Sequence, residues 1–422
     1  MRRHLGKTVG AGLLSLALLT SLSGCLQTAQ APQSTPSAQT GSQGESQLAN
    51  HAIRPYDNRM FSLAGLSWDT SADGKGFYVP QTRFLNYYDP EVGTQVPLCS
   101  QSGCRHADES CEAYLADQVT GFVDYNGIWY VMSQESYSVA SLWKVDPKAH
   151  QRTKVCEFAG KEEGESYQLH CGFISHGYVY LDLSHDTMAD EEEIRSDNYL
   201  VRVRLDTGEV QFLFENQYVK FLGAGENRVL ISVPSSLSLP MSEKEYLEQN
   251  PGGNYLDYVS DFYSNKTASD DIVELREYTA DLSSYQVLAS GYIRGMMDAA
   301  MGCWGDLTLY AVEEELYLYN LATGERRPVE YSGTLRNFFF TDGRILLLTR
   351  DPGLKVSWAD VEGGPTQLLK DEGDRQSVTF STHGESQDYV YGLYSGGEDP
   401  VTCILPKEDY FAQRFDNIIP VS

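Results

Sequence analysis

The most telling stretch of the sequence is Asn126-Gly127-Ile128-Trp129-Tyr130-Val131, a tight turn followed at once by an apolar strand. Asn-Gly pairs favour hairpin turns because both residues tolerate positive φ, and the bulky residues that follow favour an extended chain. Six similar turns precede other apolar or alternating segments: Asp73-Gly74, His176-Gly177, Glu226-Asn227, Gly305-Asp306, Asp342-Gly343 and Gln387-Asp388. The stretch is therefore one copy of a repeated hairpin.

A second kind of turn follows each of the first six of these hairpins. Strands rich in Tyr, Leu and Val end in Asp or Asn six times: Tyr88-Asp89, Val145-Asp146, Leu205-Asp206, Ala280-Asp281, Tyr319-Asn320 and Ala359-Asp360. The side chains of Asp and Asn cap such turns by accepting hydrogen bonds from backbone amides two residues further on, and a nearby Gly93 or Gly208 supplies the positive φ. Each repeat thus contains about four strands.

Seven repeats of this kind predict an all-β fold, a seven-bladed β-propeller. A propeller closes on itself, so that no long sheet edge is left exposed to solvent. The spacing of the repeats is irregular, and the alternative architecture is a pair of stacked β-sandwiches.

Two insertions interrupt the repeats, near residues 185–198 and near residues 237–271. The first contains the run Asp190-Glu191-Glu192-Glu193, which predicts a solvated acidic loop. The second contains Ser242-Glu243-Lys244-Glu245, a capping box that predicts a short helix ending at about Gln249.

The second insertion also carries a group of aromatic residues, namely Tyr246, Tyr255, Tyr258, Phe262 and Tyr263. Aromatic side chains in a long loop of a rigid scaffold can form a binding surface. We favour the alternative, in which these side chains fold down and cover the blade beneath them.

The N-terminus carries Leu22-Ser23-Gly24-Cys25 directly after a basic region and then an apolar region. Arg2, Arg3 and Lys7 supply the positive charge, and the apolar region is too short and too often interrupted by Ser and Gly to be a stable membrane span. This order resembles a bacterial lipoprotein signal. The resemblance implies that residues 1–24 are removed as a signal peptide and that Cys25 is acylated. An ordinary secretory signal with an incidental cysteine is the alternative.

The residues after the signal divide into a tether and a folded domain. Residues 25–54 hold the lipidated Cys25 and a segment rich in Ser, Gln, Thr and Pro, which cannot bury enough apolar surface to fold. Such a flexible tether has a typical reach of roughly 25 to 30 Å. The propeller-like domain is expected over residues 55–422. We predict an extracytoplasmic location at the cell membrane, with the lipid as the anchor.

The charge of the chain restricts its partners. The formal net charge is −27 at pH 7, and it becomes more negative once the basic signal peptide is removed. A chain so acidic is repelled by phosphate backbones, so nucleic acid is not an expected partner.

One segment has the residue types and spacing of a metal site. Cys99, Cys104, His106 and Cys111 form the pattern C-x4-C-x-H-x4-C, and Gly103 permits a tight turn between them. Three thiolates and one imidazole are a ligand set of tetrahedral structural zinc, which leaves no coordination position for a substrate. The order of ligands is that of a zinc knuckle, although the first two spacings differ.

A disulfide within this cluster is the competing prediction, because oxidising compartments favour disulfides. The chain has eight cysteines, of which seven remain if Cys25 is acylated. An odd number of thiols cannot all pair within one chain. The sequence leaves the two alternatives open.

Catalytic signatures are not found in the sequence. It contains no G-x-S-x-G elbow, no H-E-x-x-H pair, no Walker loop and no dinucleotide fingerprint. Four features together resemble those of uncharacterised lipid-anchored, propeller-like lipoproteins of bacteria. They are the signal segment that ends in Cys25, the polar tether, the repeats and the Cys99–Cys111 segment. No activity is implied by this resemblance.

The sequence therefore predicts a binding or scaffolding lipoprotein that presents a propeller to a glycan, a peptide or an envelope protein. An extracytoplasmic carbohydrate-active enzyme, a hydrolase or lyase with carboxylates at the propeller channel, is the first alternative. A sensor or accessory subunit of a transporter is the second. Structural zinc is the one cofactor that the sequence suggests, with a disulfide as the alternative at the same cysteines.

Overall fold

The computed structural model describes residues 58–63, 67–136, 138–160, 164–190, 193–215, 219–235, 241–255, 257–259, 273–291, 293–295, 303–350, 353–371, 379–396 and 399–421. The predicted signal peptide, Cys25 and the predicted tether lie outside these residues. Within the described ranges, no helix is long and apolar enough to cross a membrane.

The described chain forms seven separate antiparallel sheets, which are the blades of a seven-bladed β-propeller. The predicted fold is thus confirmed, and the alternative of two stacked sandwiches is wrong. Each blade consists of consecutive strands, ordered from the centre of the ring outward. Two short strands, β1 (Asn58–Met60) and β2 (Ser62–Leu63), precede the blades and lie at the centre.

The first four blades contain the following strands. Blade 1 contains β3 (Asp69–Thr70), β4 (Phe77–Pro80), β5 (Leu85–Asp89) and β6 (Thr94–Pro97). Blade 2 contains β7 (Val119–Tyr125), β8 (Ile128–Ser136), β9 (Val139–Asp146) and β10 (Gln151–Ala159). Blade 3 contains β11 (Ser166–Ser175), β12 (Tyr178–Asp190), β13 (Glu193–Arg204) and β14 (Val210–Glu215). Blade 4 contains β15 (Lys220–Ala224), β16 (Arg228–Pro234), β17 (Val273–Thr279) and β18 (Tyr285–Gly291).

The last three blades follow the same plan. In blade 5, β19 (Ile293–Gly295) and β20 (Cys303–Trp304) both pair with β21 (Leu307–Val312), and β22 (Glu315–Asn320) and β23 (Arg326–Val329) lie outside them. Blade 6 contains β24 (Thr334–Thr341), β25 (Arg344–Arg350), β26 (Leu354–Asp360) and β27 (Gln367–Asp371). Blade 7 contains β28 (Thr379–Glu385), β29 (Tyr389–Ser395), β30 (Val401–Pro406) and β31 (Ile419–Pro420).

The predicted turns lie where the sequence indicated. All seven first turns join the first and second strands of a blade. The six Asp or Asn turns join the third and fourth strands, and five of the six side chains cap their turns as expected: Asp146, for example, accepts from the amide of Lys148 at 2.9 Å, and Asn320 from that of Ala322 at 2.9 Å. The sixth, Asp206, pairs with Arg204 instead. In blade 7 a helix, α2 (Lys407–Phe411), replaces this second turn.

The alternation of strand direction gives the ring two different faces. Both kinds of turn lie on one face, which we call the turn face. The connections between second and third strands, and those between blades, lie on the other, which we call the insertion face. The central strand β1 begins at the turn face, because Asn58 is paired with Ser175, next to the turn at His176-Gly177.

Blades 1 and 7 meet without sharing a strand. The indole of Trp68 stacks on the ring of Tyr391 with centroids 3.9 Å apart. The hydroxyl of Thr70 donates to the carbonyl of Glu385 at 2.6 Å, and the amide of Gln387 donates to the carbonyl of Gly74 at 2.7 Å. Aromatic packing and backbone hydrogen bonds therefore close the ring.

The two insertions differ from one another in how well they were predicted. Near residues 185–198, where an acidic loop was predicted, β12 and β13 pair up to Asp190, opposite Glu193. The ladder of blade 3 thus extends into the predicted insertion, and Glu191 and Glu192 of the acidic run lie outside the described residues. The capping box is confirmed: the side chain of Ser242 accepts from the amide of Glu245 at the start of α1 (Glu243–Gln249).

The aromatic residues of the second insertion cover the outer edge of blade 3. Tyr255 is 4% exposed, and its hydroxyl donates to the carbonyl of Met241 at 2.6 Å. Its ring packs edge-on against Phe212 of β14, while Tyr246 stacks on Tyr258. These three tyrosines therefore belong to the packing of the blade, as favoured from the sequence. The predicted Phe262 and Tyr263 lie outside the described residues.

Candidate metal centre

The four candidate ligands lie in the connector between blades 1 and 2, on the insertion face. We call residues 98–118 the metal connector. The thiol sulfurs of Cys99, Cys104 and Cys111 and a ring nitrogen of His106 all lie within 4.8 Å of one another. In a tetrahedral zinc site with Zn–S bonds of about 2.3 Å, neighbouring sulfurs are about 3.8 Å apart. The structure thus brings together all four residues that the sequence singled out.

Each of the three cysteines accepts a hydrogen bond from the backbone amide two residues further on. The amide of His106 lies 3.4 Å from Sγ of Cys104. The amides of Gln101 and Ala113 bond in the same way to Cys99 and Cys111. Amide donors of this kind stabilise thiolate charge and orient the sulfur lone pairs toward a metal. The local turns therefore prepare all three thiols as ligands.

His106 is held toward Cys111 by its backbone conformation. Its φ is 49°, in the left-handed region that few side chains adopt, and its Nδ1 lies 3.2 Å from Sγ of Cys111. The preceding Gly103 has a φ of 75°, and a Cβ there would meet nothing within 4 Å. Nδ1 is thus the ring nitrogen that faces the sulfurs.

The metal connector is fixed to blade 1 by backbone hydrogen bonds. The amide of Leu85 donates to the carbonyl of Ala113, and the amide of Leu115 donates to the carbonyl of Arg83, both at 2.8 Å. These bonds place the connector along the second-to-third connection of blade 1. Leu115 is fully buried in the packing between blades 1 and 2. The base of the connector is therefore held by backbone hydrogen bonds and by the burial of Leu115.

Tyr114 secures the same segment from the other side. Its ring lies between two guanidinium groups, 4.4 Å from that of Arg152 and 5.7 Å from that of Arg83. Its hydroxyl donates to Asp117 at 3.0 Å, and Asp117 also pairs with Arg83. The sequence analysis missed these residues, because Arg152 belongs to another blade and nothing in the linear pattern joins it to Tyr114.

The thiols of the cluster differ in their tendency to ionise. Burial opposes ionisation of Cys99, but the amides of Gln101 and Glu112 outweigh it, so its pKa lies below the usual value of 9.0. Cys111 is 4% exposed, and burial raises its pKa to about 12. The hydrogen bond from the amide of Ala113 lowers this pKa but does not outweigh burial. A divalent cation among these sulfurs would favour the thiolate form of all three.

The donor set fits zinc in a closed, structural site. Each of the four residues offers one ligand atom, and three soft thiolates with one imidazole match the preference of Zn²⁺. With four protein ligands, the metal would have no open position for water or substrate. All seven described cysteines, including these three, are free thiols. What the arrangement can do is bind a metal and hold the connector.

A second polar cluster lies at the centre of the ring, and we call Arg59, Asp69 and Asp124 the central clasp. Arg59 of β1 pairs with Asp69 of β3, and both side chains are 5% exposed. The amide of Asp124 in β7 donates to the other carboxylate oxygen of Asp69 at 3.2 Å. Burial, together with the charge of Asp69, raises the pKa of Asp124. The clasp therefore ties the N-terminal strand to blades 1 and 2.

Neither a protein-family model nor a curated protein sequence matches the chain. Among solved structures, it is similar to the β-propeller domain of the Trilobed protease from Pyrococcus furiosus, with 9% identity, a TM-score of 0.43, and coverage of 86% of this chain and 96% of that chain. It is also similar to a puromycin-hydrolyzing peptidase of Mycobacterium tuberculosis, with 10% identity, a TM-score of 0.46, and coverage of 89% of this chain and 55% of that chain.

A third similar structure is TolB from Acinetobacter baumannii, with 13% identity, a TM-score of 0.29, and coverage of 81% of this chain and 76% of that chain. Propellers share their architecture across unrelated functions. A function for this chain must therefore be argued from its own residues.

Proposed function

We propose that this chain is an extracytoplasmic lipoprotein, anchored to the membrane through Cys25, whose propeller binds or scaffolds an envelope protein, a peptide or a glycan through its insertion face. The observation that carries the proposal is the difference between the two faces. Apart from the connection in blade 7 that contains α2, the turn face consists of short turns, whereas the insertion face bears the metal connector, the β12–β13 hairpin and the insertion that contains α1. Long connections on a rigid scaffold are the usual carriers of recognition.

The first described residue, Asn58, lies at the turn face, opposite Ser175, whereas the long connections lie on the insertion face. The strongly acidic composition keeps the propeller soluble next to anionic lipid.

Zinc has a structural role in this proposal. Cys99, Cys104, His106 and Cys111 would hold one Zn²⁺, which would fix the outer part of the metal connector as a rigid feature of the insertion face. The residues of this chain supply the ligands, their hydrogen bonds and the folded base. A rigid loop binds a partner at a lower entropic cost than a flexible one.

The alternative enzyme needs two carboxyl groups that face one open cavity. Among the described residues, carboxyl pKa values are raised at Asp124 and Asp182, and the two groups have different charged neighbours. The charges of Asp69 and Arg59 act on Asp124. Burial raises the pKa of Asp182 to about 6, opposed by the charge of Lys220. The described geometry therefore favours the binding role.

The proposal is tested by photocrosslinking in membranes. A photoreactive residue would replace the exposed Gln81 on the insertion face or, as the matched control, the exposed Thr323 on the turn face. We expect a discrete crosslinked partner from position 81 and none from position 323. Cys25→Ser should release the folded protein from the membrane. Persistent membrane binding of Cys25→Ser would contradict the anchor, and crosslinking from position 323 alone would contradict the assignment of the faces.

A further inference from the structure

We infer that Cys99 and Cys104 form an oxidation site, in which a hydroperoxide converts the two thiolates into a disulfide and displaces the metal. The inference rests on the proposed metal centre, and it assigns regulation to that site. It also makes the two states that the sequence left open, metal-bound and disulfide-bonded, alternative states of one cluster.

The geometry of the cluster makes a disulfide accessible. The ligand atoms already lie within 4.8 Å of one another, so two sulfurs need only a local loop movement to reach the S–S bond length of about 2.05 Å. The segment between Cys99 and Cys104 contains Gly103 at positive φ with open space around it. A movement of this segment therefore meets open space at Gly103, while Ser100 keeps its hydrogen bonds to Glu112.

Exposure selects the pair that reacts. Cys99 and Cys104 are partly exposed, so a small oxidant in solvent can reach them. Cys111 is buried, and Nδ1 of His106 lies 3.2 Å from its sulfur. The thiol of Cys111 is thus shielded, while the other two are accessible.

The other cysteines among the described residues provide an internal contrast. Cys156, Cys171, Cys303 and Cys403 lie in strands of four different blades: β10, β11, β20 and β30. Burial raises the pKa of the first three to about 12 and that of Cys403 to about 11. Thiols that stay protonated are poor nucleophiles toward peroxide, so oxidation is confined to the cluster.

The reaction is balanced as a two-electron oxidation. The thiolate of one cysteine attacks a peroxide oxygen to give a sulfenic acid, and water leaves as the O–O bond breaks. The second thiolate attacks the sulfenic sulfur, which forms the S–S bond and releases a second water. In total, two thiolates lose two electrons, one hydrogen peroxide gains them, and two protons are taken up.

The metal leaves because half of its ligands are lost. Cys111 and His106 alone cannot complete a tetrahedral site. The base of the metal connector keeps its backbone bonds to blade 1, including that between the carbonyl of Ala113 and the amide of Leu85. Oxidation is thus expected to reshape the exposed part of the connector and to leave the propeller folded.

The test uses the purified full chain, loaded with zinc and treated with hydrogen peroxide. Zinc content is measured first, and zinc release is then followed with a metallochromic dye. Intact mass and peptide mapping locate any new bond. We expect the loss of one zinc per chain, a mass decrease of two hydrogen atoms, a Cys99–Cys104 disulfide, and recovery of zinc binding after reduction. Cys156→Ser, the matched control, should behave like the unaltered chain.

The outcomes separate this inference from the proposal on which it depends. A chain that binds no zinc before peroxide is added overturns both. A chain that binds zinc and keeps it under peroxide overturns only the inference. Zinc release also overturns only the inference if it is accompanied by addition of oxygen to the thiols. The same holds if the new disulfide involves Cys111 or one of the four strand cysteines.

Discussion

The central clasp and the metal connector both secure blade 1, but their chemistry is opposite. The clasp is a buried ion pair at the centre of the ring, with Arg59 and Asp69 each 5% exposed. The connector lies on the insertion face, and three of its four candidate ligands are partly exposed. Water cannot solvate a buried charge that has lost its partner, whereas it can solvate the polar groups of a surface loop. The clasp should therefore determine the stability of the whole ring. The metal connector should affect only the conformation of one loop.

Breaking the clasp is expected to have the largest effect. Arg59→Met removes the cation and leaves the buried carboxylate of Asp69 without its ionic partner. Breaking a buried pair in this way costs about 3–5 kcal/mol. Urea unfolding followed by tyrosine and tryptophan fluorescence would measure the loss.

The matched control for this substitution is Arg83→Met. Arg83 also pairs with an aspartate, Asp117, but both side chains are about half exposed. Exposed ion pairs contribute little to the free energy of unfolding, because water and salt screen their charges. Equal losses of stability in the two variants would contradict the assignment of the clasp as the main determinant of ring stability.

Removing the metal is expected to have an intermediate effect. Cys111→Ser takes away the most buried ligand, so zinc should no longer stabilise the chain. A ligand held at several hundred times its Kd contributes about 3 kcal/mol to the free energy of unfolding. Thermal unfolding of the unaltered chain with and without a chelator should show this difference, and Cys111→Ser should show none.

Cys156→Ser serves as the control, because Cys156 lies in β10 and is not one of the four candidate ligands. This variant should keep its response to the chelator. A response in Cys111→Ser as large as in the unaltered chain would place the metal elsewhere.

The same contrast explains which features the sequence could predict. The turns were predictable because Asn126-Gly127 and Asp146 act on their immediate neighbours. The cysteine cluster was predictable because its four ligands lie within one short segment. The central clasp was not, since Arg59 lies in a strand of three residues and its partners come from two other elements. Long-range contacts of this kind leave no local pattern.

The β12–β13 hairpin shows a different limit of sequence reasoning. Its acidic run indicated a solvated loop, and charge patterning alone cannot distinguish a loop from a solvated hairpin. The pairing of Thr187 with Arg195 depends on the register set within blade 3. A strand register is a property of the partner strand as well as of the segment itself.

The smallest expected effect is a pH dependence of the clasp. Burial and the neighbouring Asp69 raise the pKa of Asp124 above its usual 3.8. The unfolded chain therefore loses this proton at a lower pH than the folded chain does. Between the two pKa values the folded state binds more protons, so this group makes stability fall as pH rises.

Asp124→Asn removes this titration and isolates its contribution. We compare the free energies of unfolding of Asp124→Asn and the unaltered chain. As the pH rises from about 4 to 7, the variant should become more stable relative to the unaltered chain. The change is about 1.4 kcal/mol for each unit by which folding raises the pKa of Asp124. Urea unfolding at several pH values would measure it. At lower pH, between about 2 and 4, Asp281→Asn gives the opposite sign, because hydrogen bonds from Thr279 and Ser283 lower the pKa of Asp281 to about 2. If the difference in the free energy of unfolding between Asp124→Asn and the unaltered chain did not change with pH, Arg59 would stabilise the charged forms of Asp69 and Asp124 to the same extent.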